Sequence, residues 1–527
     1  MARRSKQEIR RRPDRQGPDR WRAYRTPLIL VCLGAVALVI GAASFDRLPS
    51  PIGDNAEFAI LARSLATGHG FRYLNHPDLL PATKYPPGFP LFLAMWIPLF
   101  GGSMIVMKVV VLMCYVLLVL ATFLLARKFL GQAESAIASL MIATSAGVPA
   151  LATGIVPYSH EVLSDVPYAL FSLAALVLII DASKTRSLLV GLGLVIWAYV
   201  VRTAGVSLVA AAAVFLLLRS RRREALVLVI CFVAFSGLWA LRNYLAGGEG
   251  SRYFQVLVAK NPYDPDLGTL GVVDVLNRIV VNFLAYVGGF LQENILPALV
   301  GSWSRPVFRW PFSLLMMAVM VLGGYRLRRR ALLLNLYLLG YAVVCLLWPE
   351  VWRSGRFMVP VAPIAAVYFV SGAMRVLGYL KVKRLAALVV CAAIAATNLY
   401  SVSQYAARER GYTVGWANYI STAVWARENT GPDALFLCRS AYLYYVFSGR
   451  KAIGYPFTRD CEAMRDYLAK WRPDYIVIDN ELGFPQTQVY LLPVLITMED
   501  ELESAYATGE PINAVFKFTP AGSGGAR

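Results

Sequence analysis

The chain has 527 residues, of which 57% are hydrophobic and only 16% are charged. A soluble protein is typically about 45–50% apolar and about 25% charged, so this balance excludes an ordinary soluble enzyme and points to a membrane protein. The formal net charge of +20 would suit nucleic acid, but most basic clusters fall in short gaps between apolar stretches, which argues against that partner.

Residues 1–27 form a basic tail running from Arg3 to Arg25. It is too long and too charged for a signal n-region. Phe45, Asp46 and Arg47 stand where a small-residue cleavage site would follow the apolar run Leu28–Phe45. The expectation is a retained first span with the N-terminus in the cytoplasm. A span needs roughly 20 apolar residues, with about 17 as a lower limit. Residues 46–102 follow as a first outer loop. Further candidate spans are Met104–Ala126, Ser135–Gly154, Asp165–Ile180, Leu188–Val201, Ala204–Leu218 and Leu226–Leu245, then Pro311–Tyr325, Ala331–Trp348, Phe357–Leu377 and Leu385–Tyr400. The pair on either side of Arg202 is short. Together they give about 11 spans.

The basic clusters test this map. Arg127–Lys128, Lys184–Arg186, Arg219 with Arg221–Arg223, Arg326 with Arg328–Arg330, and Lys381 with Lys383 and Arg384 all fall on the side of the N-terminus, as the positive-inside rule requires. Val272–Pro297 has a span's apolarity but carries Asp274, Asn277, Arg278 and Glu293. It is read as an interfacial or paired helix on the outer side.

Residues 402–527 are more polar and read as an extracytoplasmic α/β domain. A helix over Trp416–Glu428 is stopped by Asn429-Thr430-Gly431-Pro432. Strand-like runs Ala434–Leu437 and Tyr475–Ile478 flank an amphipathic helix, Cys461–Trp471. Cys438 and Cys461 are a candidate disulfide pair on the oxidising side, although spacing alone does not fix the geometry. Cys32, Cys114, Cys231, Cys345 and Cys391 lie in apolar runs and read as packing residues. No cysteine or histidine spacing suggests zinc.

Three polar segments interrupt this apolar background. In the first outer loop, Gly53-Asp54-Asn55-Ala56-Glu57-Phe58 is followed by Leu61, Ala62 and Leu65 at helical spacing. A surface helix ending at Gly68 or Gly70 is expected, with Asp54 in its first turn and Glu57 one turn on. Asp-x-x-Glu resembles a capping box, and a carboxylate also suits a base that takes a proton from an attacking hydroxyl. Both readings stay open on the residues alone. Lys84-Tyr85-Pro86-Pro87-Gly88-Phe89 then opens a second surface helix over Phe89–Phe100, with Lys84 placed to meet a phosphate or to snorkel to a head-group.

The second segment is Tyr158-Ser159-His160-Glu161-Val162-Leu163-Ser164-Asp165-Val166-Pro167, at the outer edge between two spans. Ionisable residues there are costly unless they face a wet cavity. Glu161 and Asp165 otherwise read as span caps and His160 as an interfacial residue. The third comprises Arg202, between two short apolar runs, and Trp352-Arg353-Ser354-Gly355-Arg356-Phe357-Met358-Val359-Pro360. Arginine suits a phosphodiester because its planar donors grip two oxygens at once. Snorkelling is the competing account, stronger for Arg353 than for Arg356 or Arg202.

The order of an apolar span, Gly53-Asp54-x-x-Glu57-Phe58, Leu61-Ala62-x-x-Leu65-Ala66-x-Gly68-x-Gly70-Phe71 and Tyr85-Pro86-Pro87-Gly88 resembles the bacterial family 39 glycosyltransferases. These are relatives of protein O-mannosyltransferases and of the aminoarabinose transferase that modifies lipid A. The match runs over roughly Leu28–Tyr400 and is strongest in the first loop. Glu161-x-x-x-Asp165-x-Pro167 and Arg356-Phe357-x-x-Pro360 are similar to two further family signatures.

The resemblance implies a GT-C fold: a membrane all-α bundle of about 11 transmembrane helices carrying an α/β domain. It implies an integral-membrane glycosyltransferase in the bacterial inner membrane. Such an enzyme moves a sugar from a polyprenyl-phosphate donor to an extracytoplasmic hydroxyl on a glycan, lipid or protein, with inversion. Asp54 is then the base, with Glu57 as its understudy because this chain has Asp-Asn-Ala-Glu where family members show adjacent acids. Lys84, Arg202, Arg353 and Arg356 would hold the donor phosphate, and Tyr158, His160, Glu161 and Asp165 would position sugar or acceptor. No metal ligand set is settled, and the family is not generally metal-dependent. A flippase or transporter of a lipid-linked sugar is the alternative, although no internal repeat supports it. A receptor would rest mainly on the C-terminal domain.

Overall fold

The structure, a computed structural model, describes residues 20–51, 53–147, 154–180, 185–247, 252–301, 306–480 and 484–520. Most of the basic tail, and Lys184 of the second basic cluster, lie outside these residues. Helix α1 (Arg20–Ser44) leads to two surface helices, α2 (Gly53–Ala66) and α3 (Gly88–Ala94), and a short α4 (Ile97–Phe100). The bundle continues through α5 (Met104–Ala126), α6 (Gln132–Ala143), α7 (Asp165–Ile180), α8 (Thr185–Val201), α9 (Val206–Leu218) and α10 (Arg222–Leu245). Later members are Pro306–Leu327, Leu332–Leu347, Ala362–Tyr379 and the continuous run Arg384–Ala407.

Among the described residues, seven helices are long and apolar enough to cross a membrane, so the chain is a multi-pass membrane protein. Helices α7, α8 and α9 and Leu332–Leu347 are apolar but shorter. Outward faces are greasy where a soluble protein would be polar: Leu226, Ile230, Val233 and Leu238 of α10 are all more than half exposed.

One expected span is corrected. Helix α6 stops at Ala143 rather than continuing to Gly154, and Ala146 and Gly154 form an antiparallel bridge. The sequence there carries Gly147 and Pro149, both poor in a helix interior. Gly154 has φ +93°, and a Cβ on it would lie 2.6 Å from the Ser145 carbonyl oxygen, so only glycine allows the chain to return this closely.

Segment 272–293 is helical and long enough to span, yet both its ends are tied to segments assigned to the outer side. Lys260 pairs with Asp274 at 3.3 Å. Asn294 donates to the Gly355 carbonyl at 2.9 Å. Leu276, Val280 and Phe283 are exposed while Arg278 and Asn282 are buried, the division an interfacial helix requires. On the opposite side Arg384 pairs with Glu134 at 2.8 Å, which joins two loops that the charge map puts together.

The C-terminal domain is built on a five-stranded sheet, β1 (Leu435–Leu437), β2 (Lys451–Ile453), β3 (Tyr475–Ile478), β4 (Leu502–Ala507) and β5 (Ala514–Phe518), in the order β2-β1-β3-β5-β4. Strand β1 runs parallel to β2 and β3, while β5 is antiparallel to β3 and β4. Helices Val414–Asn429 and Cys461–Trp471 match the expected ones. Helix Ala441–Ser448 and strands β2, β4 and β5 were not anticipated. Cys438 is buried, Cys461 is exposed and both are free, so the candidate disulfide is absent.

This domain grips the first outer loop. The Asn75 amide donates to the Ala452 carbonyl at 2.9 Å, and Ala452 N–H donates to the Asn75 carbonyl at 2.8 Å. Tyr73 packs on Tyr442 with ring centroids 5.1 Å apart.

Candidate active site

The first outer loop sets the carboxylates. Helix α2 starts at Gly53, places Asp54 in its first turn and gives way to Gly68 in the left-handed region, φ +81°. Helix α3 lies against the outer end of α8, and a Cβ on Gly88 would stand 2.5 Å from the Val200 carbonyl oxygen. Gly88 is therefore what lets the Lys84-Tyr85-Pro86-Pro87 segment reach α2. Phe58 packs on Tyr85 and Phe89 at centroid distances of 4.6 and 4.9 Å, locking the two surface helices together.

Asp54 sits inside a ring of donors. The Tyr85 hydroxyl donates to its Oδ1 at 2.8 Å and Arg356 Nη2 donates to its Oδ2 at 2.9 Å. Lys84 Nζ lies 3.9 Å away. Burial raises the Asp54 pKa, but Lys84, Arg356 and the Tyr85 hydroxyl together outweigh it and hold the carboxyl well below the usual carboxylate range. Glu57 is 1% exposed against 24% for Asp54. It takes Lys84 Nζ on Oε2 and the Tyr73 hydroxyl on Oε1, both at 2.8 Å. Although burial opposes it, the Glu57 and Asp54 charges and the neighbouring Tyr85 hold the Lys84 ammonium firmly charged. The acidic pair is thus engaged by side chains from distant segments.

Arg356 and Arg202 approach the Phe357 ring at 5.1 and 5.4 Å. Arg202 Nη2 pairs with buried Asp165 at 3.1 Å, and its Nη1 donates to Ser164 at 3.0 Å. The Tyr158 hydroxyl bonds to Ser354, and burial raises its pKa to about 12. One connected polar region therefore holds Asp54, Glu57, Lys84, Arg356, Arg202, Asp165 and Tyr158.

The remaining sequence candidates stand elsewhere. Arg353 is exposed and has no ion pair among the described residues. His160 turns away, with its ring 6.0 Å from Phe45 and 6.1 Å from Tyr405, and burial lowers its pKa to about 3. Glu161 faces Lys108, Ser50 and Asn55, and burial raises its pKa. That cluster braces the loop from behind: Lys108 donates to the Asp46 carbonyl at 3.0 Å and Asn55 accepts the Val162 N–H. Tyr73 and Tyr85 carry no role in the sequence reading, although Tyr85 lies in the quoted motif. Lys108, hidden within a span, gives no sequence signal beyond its charge.

An apolar groove of about 460 Å³ opens beside Lys84. Thr83, Lys84 and Pro86 form one end, Tyr199, Trp239 and Tyr244 one wall, and Leu347 with Trp348 another. A chain-like apolar ligand lying there would bring its polar head to Lys84.

Residues 84–240 match the family described as dolichyl-phosphate-mannose-protein mannosyltransferase. The matched stretch includes Lys84, Tyr158, Asp165 and Arg202, while Asp54 and Arg356 lie beyond it. ArnT from Cupriavidus metallidurans, solved bound to undecaprenyl phosphate, aligns at 14% identity over 95% of this chain and 100% of that one, with a TM-score of 0.59. The archaeal oligosaccharyltransferase AglB from Archaeoglobus fulgidus, solved with an inhibitory peptide and a dolichol-phosphate, aligns at 14% identity over 94% and 74% of the two chains, with a TM-score of 0.57. No curated protein sequence matches the chain.

The chain has the GT-C fold. The family match over residues 84–240 agrees with the resemblance read from the sequence. Within this GT-C frame the Asp54 region sits on the first outer loop against the bundle and the C-terminal domain.

Proposed function

We propose that this protein transfers a sugar from a polyprenyl-phosphate donor to a hydroxyl acceptor on the extracytoplasmic face of the bacterial inner membrane. The observation that carries the reading is the meeting of Asp54 with Arg356 and Lys84 at the end of an apolar groove. The apolar lining of the groove suits a segment of a prenyl chain. Its phosphate then lies against Lys84 and Arg356, whose charges stabilise the leaving group as negative charge builds on it.

In this reading Asp54 is the base and Glu57 is not. Asp54 is partly open, whereas Glu57 is enclosed and both of its oxygens are engaged. As the acceptor oxygen attacks the anomeric carbon, its proton passes to Asp54 and the bond to the phosphate oxygen breaks on the opposite face, which inverts the configuration. Donor phosphate competes with Asp54 for Arg356 and Lys84, so binding of the donor returns basicity to the carboxylate. Arg202 with Asp165, and Tyr158, line the adjacent region and suit contacts to sugar or acceptor. Side chains supply the counter-charge here, which turnover after chelation with EDTA tests.

The test is transfer of labelled sugar from a synthetic polyprenyl-phosphate sugar by purified full-length protein. Wild type is expected to form labelled product, and Asp54→Asn to lose it while keeping its fold. Full activity of a folded Asp54→Asn protein would sink the assignment.

A further inference from the structure

A second cavity, which the proposed reaction does not use, lies on the other side of α10. Its volume is about 590 Å³, and Phe71, Arg72, Leu238, Leu241, Arg242 and Leu245 line it. Ser236, Trp239 and Asn243 of the same helix face the Lys84 groove instead. Helix α10 thus separates two spaces that both reach the first outer loop.

Among the described residues, the charges in this cavity have no anionic partner. Arg242 donates to the carbonyls of Phe71, at 3.1 Å, and Ala82, and Arg72 donates to the Leu79 carbonyl at 3.3 Å. These acceptors are neutral. Among the described residues no carboxylate lines the cavity, and the two guanidiniums are close enough to repel each other. Neither makes an ion pair among the described residues, whereas Lys84, Arg202 and Arg356 each have a carboxylate partner. On either side of Arg242 along α10, Leu238, Leu241 and Leu245 are 68%, 53% and 75% exposed, and their spacing makes one apolar stripe.

Two forked cations beside a greasy stripe complement a phosphate with an acyl chain alongside it. Snorkelling accounts for one arginine at a helix end. It does not account for two from separate segments converging on one cavity. We propose that this cavity binds an anionic phospholipid of the outer leaflet, with the phosphate between Arg72 and Arg242 and a chain along Leu238, Leu241 and Leu245. The inference does not depend on the glycosyltransferase reading. Free phosphate shares the head-group chemistry, but the stripe has a use only for a lipid.

The test is native mass spectrometry of the full-length protein released from micelles doped with phosphatidylglycerol or phosphatidylcholine. Wild type is expected to retain one phosphatidylglycerol in preference to phosphatidylcholine. Loss of one cation should weaken retention about fivefold. Arg72→Gln and Arg72→Glu spare the loop contacts of Arg242, so folding is preserved, and the second should weaken retention more. Lys84→Gln should leave the bound lipid in place, which separates this cavity from the donor groove. Equal retention of both lipids, unchanged retention in Arg72→Glu, or displacement of the lipid by millimolar inorganic phosphate would each overturn the proposal.

Discussion

Arg356 donates a 2.9 Å hydrogen bond to Asp54 across 302 residues of chain. The bond joins the first outer loop to the turn before the helix Ala362–Tyr379, and it holds Asp54 ionised but too weakly basic to take a proton efficiently. If donor phosphate draws off Arg356 and Lys84, they no longer outweigh the burial that raises the Asp54 pKa, and the carboxylate moves back up into the ordinary acidic range. The wild-type kcat should then fall as pH drops through that region. Asp54→Asn should lower kcat by about 10²–10⁴-fold and abolish the acidic limb in what remains. Glu57→Gln should keep the limb. A pH–kcat series on the three proteins checks this, and a limb lost in Glu57→Gln instead would exchange the two roles.

Lys84 is held at 2.8 Å by Glu57, which the Tyr73 hydroxyl fixes from the other side. Removing the ammonium should weaken donor binding more than it slows the chemical step. Lys84→Gln should raise the donor KM by roughly ten- to a hundredfold. Arg356→Lys keeps the charge but loses the planar fork, so it should behave similarly and not as a silent change. Steady-state kinetics against donor concentration separates KM from kcat. An unaltered KM in both variants would remove the phosphate from this end of the groove.

The membrane class, most helix positions and the first-loop carboxylates were legible because they rest on local pattern. Hydropathy marks an apolar helix whatever its neighbours, and Phe58, Leu61, Ala62 and Leu65 announce a surface helix by spacing alone. What could not be read was pairing. Nothing in the spacing says that Arg356 meets Asp54, that Tyr85 donates to it, or that Glu161 turns from the site toward Lys108. The helix end at Ala143 is a related failure: Ser135–Gly154 is apolar enough, and hydropathy does not register how closely Gly154 returns to Ser145. The short strands β2 and β5 were missed because only tertiary pairing stabilises them.

The free cysteines make a simple prediction. Cys461 is exposed and Cys438 is buried at the end of β1. A maleimide reagent should label Cys461 in the folded protein and reach Cys438 only after denaturation. Mobility on a non-reducing gel should not change on addition of reductant. A reductant-dependent shift that disappears in Cys461→Ser would restore the disulfide.

His160 predicts an acid sensitivity unrelated to turnover. Burial lowers its pKa from 6.5 to about 3, so the folded protein holds it neutral while the unfolded chain binds a proton. Stability from this site is full above the unfolded value and is lost as pH falls from about 6.5 toward the folded value. At pH 5 the loss is about 2 kcal/mol. Thermal unfolding in detergent should show a smaller decline between pH 8 and 5 for His160→Gln than for wild type. Equal declines would place the titrating group elsewhere.

Arg202 and Asp165 provide the sharpest separation of structure from chemistry. Asp165 is 1% exposed, and Arg202 is its only ion-pair partner among the described residues, at 3.1 Å. Breaking such a pair strands a buried charge, which costs about 3–5 kcal/mol, whereas replacing both partners by apolar groups is often nearly neutral. Arg202→Met should therefore lower the melting temperature strongly, and Arg202→Met with Asp165→Leu should regain most of the loss. If the pair also contacts sugar or acceptor, the stable double variant should still be inactive with labelled donor. A double variant that recovers both stability and full transfer would make the pair a structural tie, and the substrate contacts would then fall to Tyr158, Lys84 and Arg356.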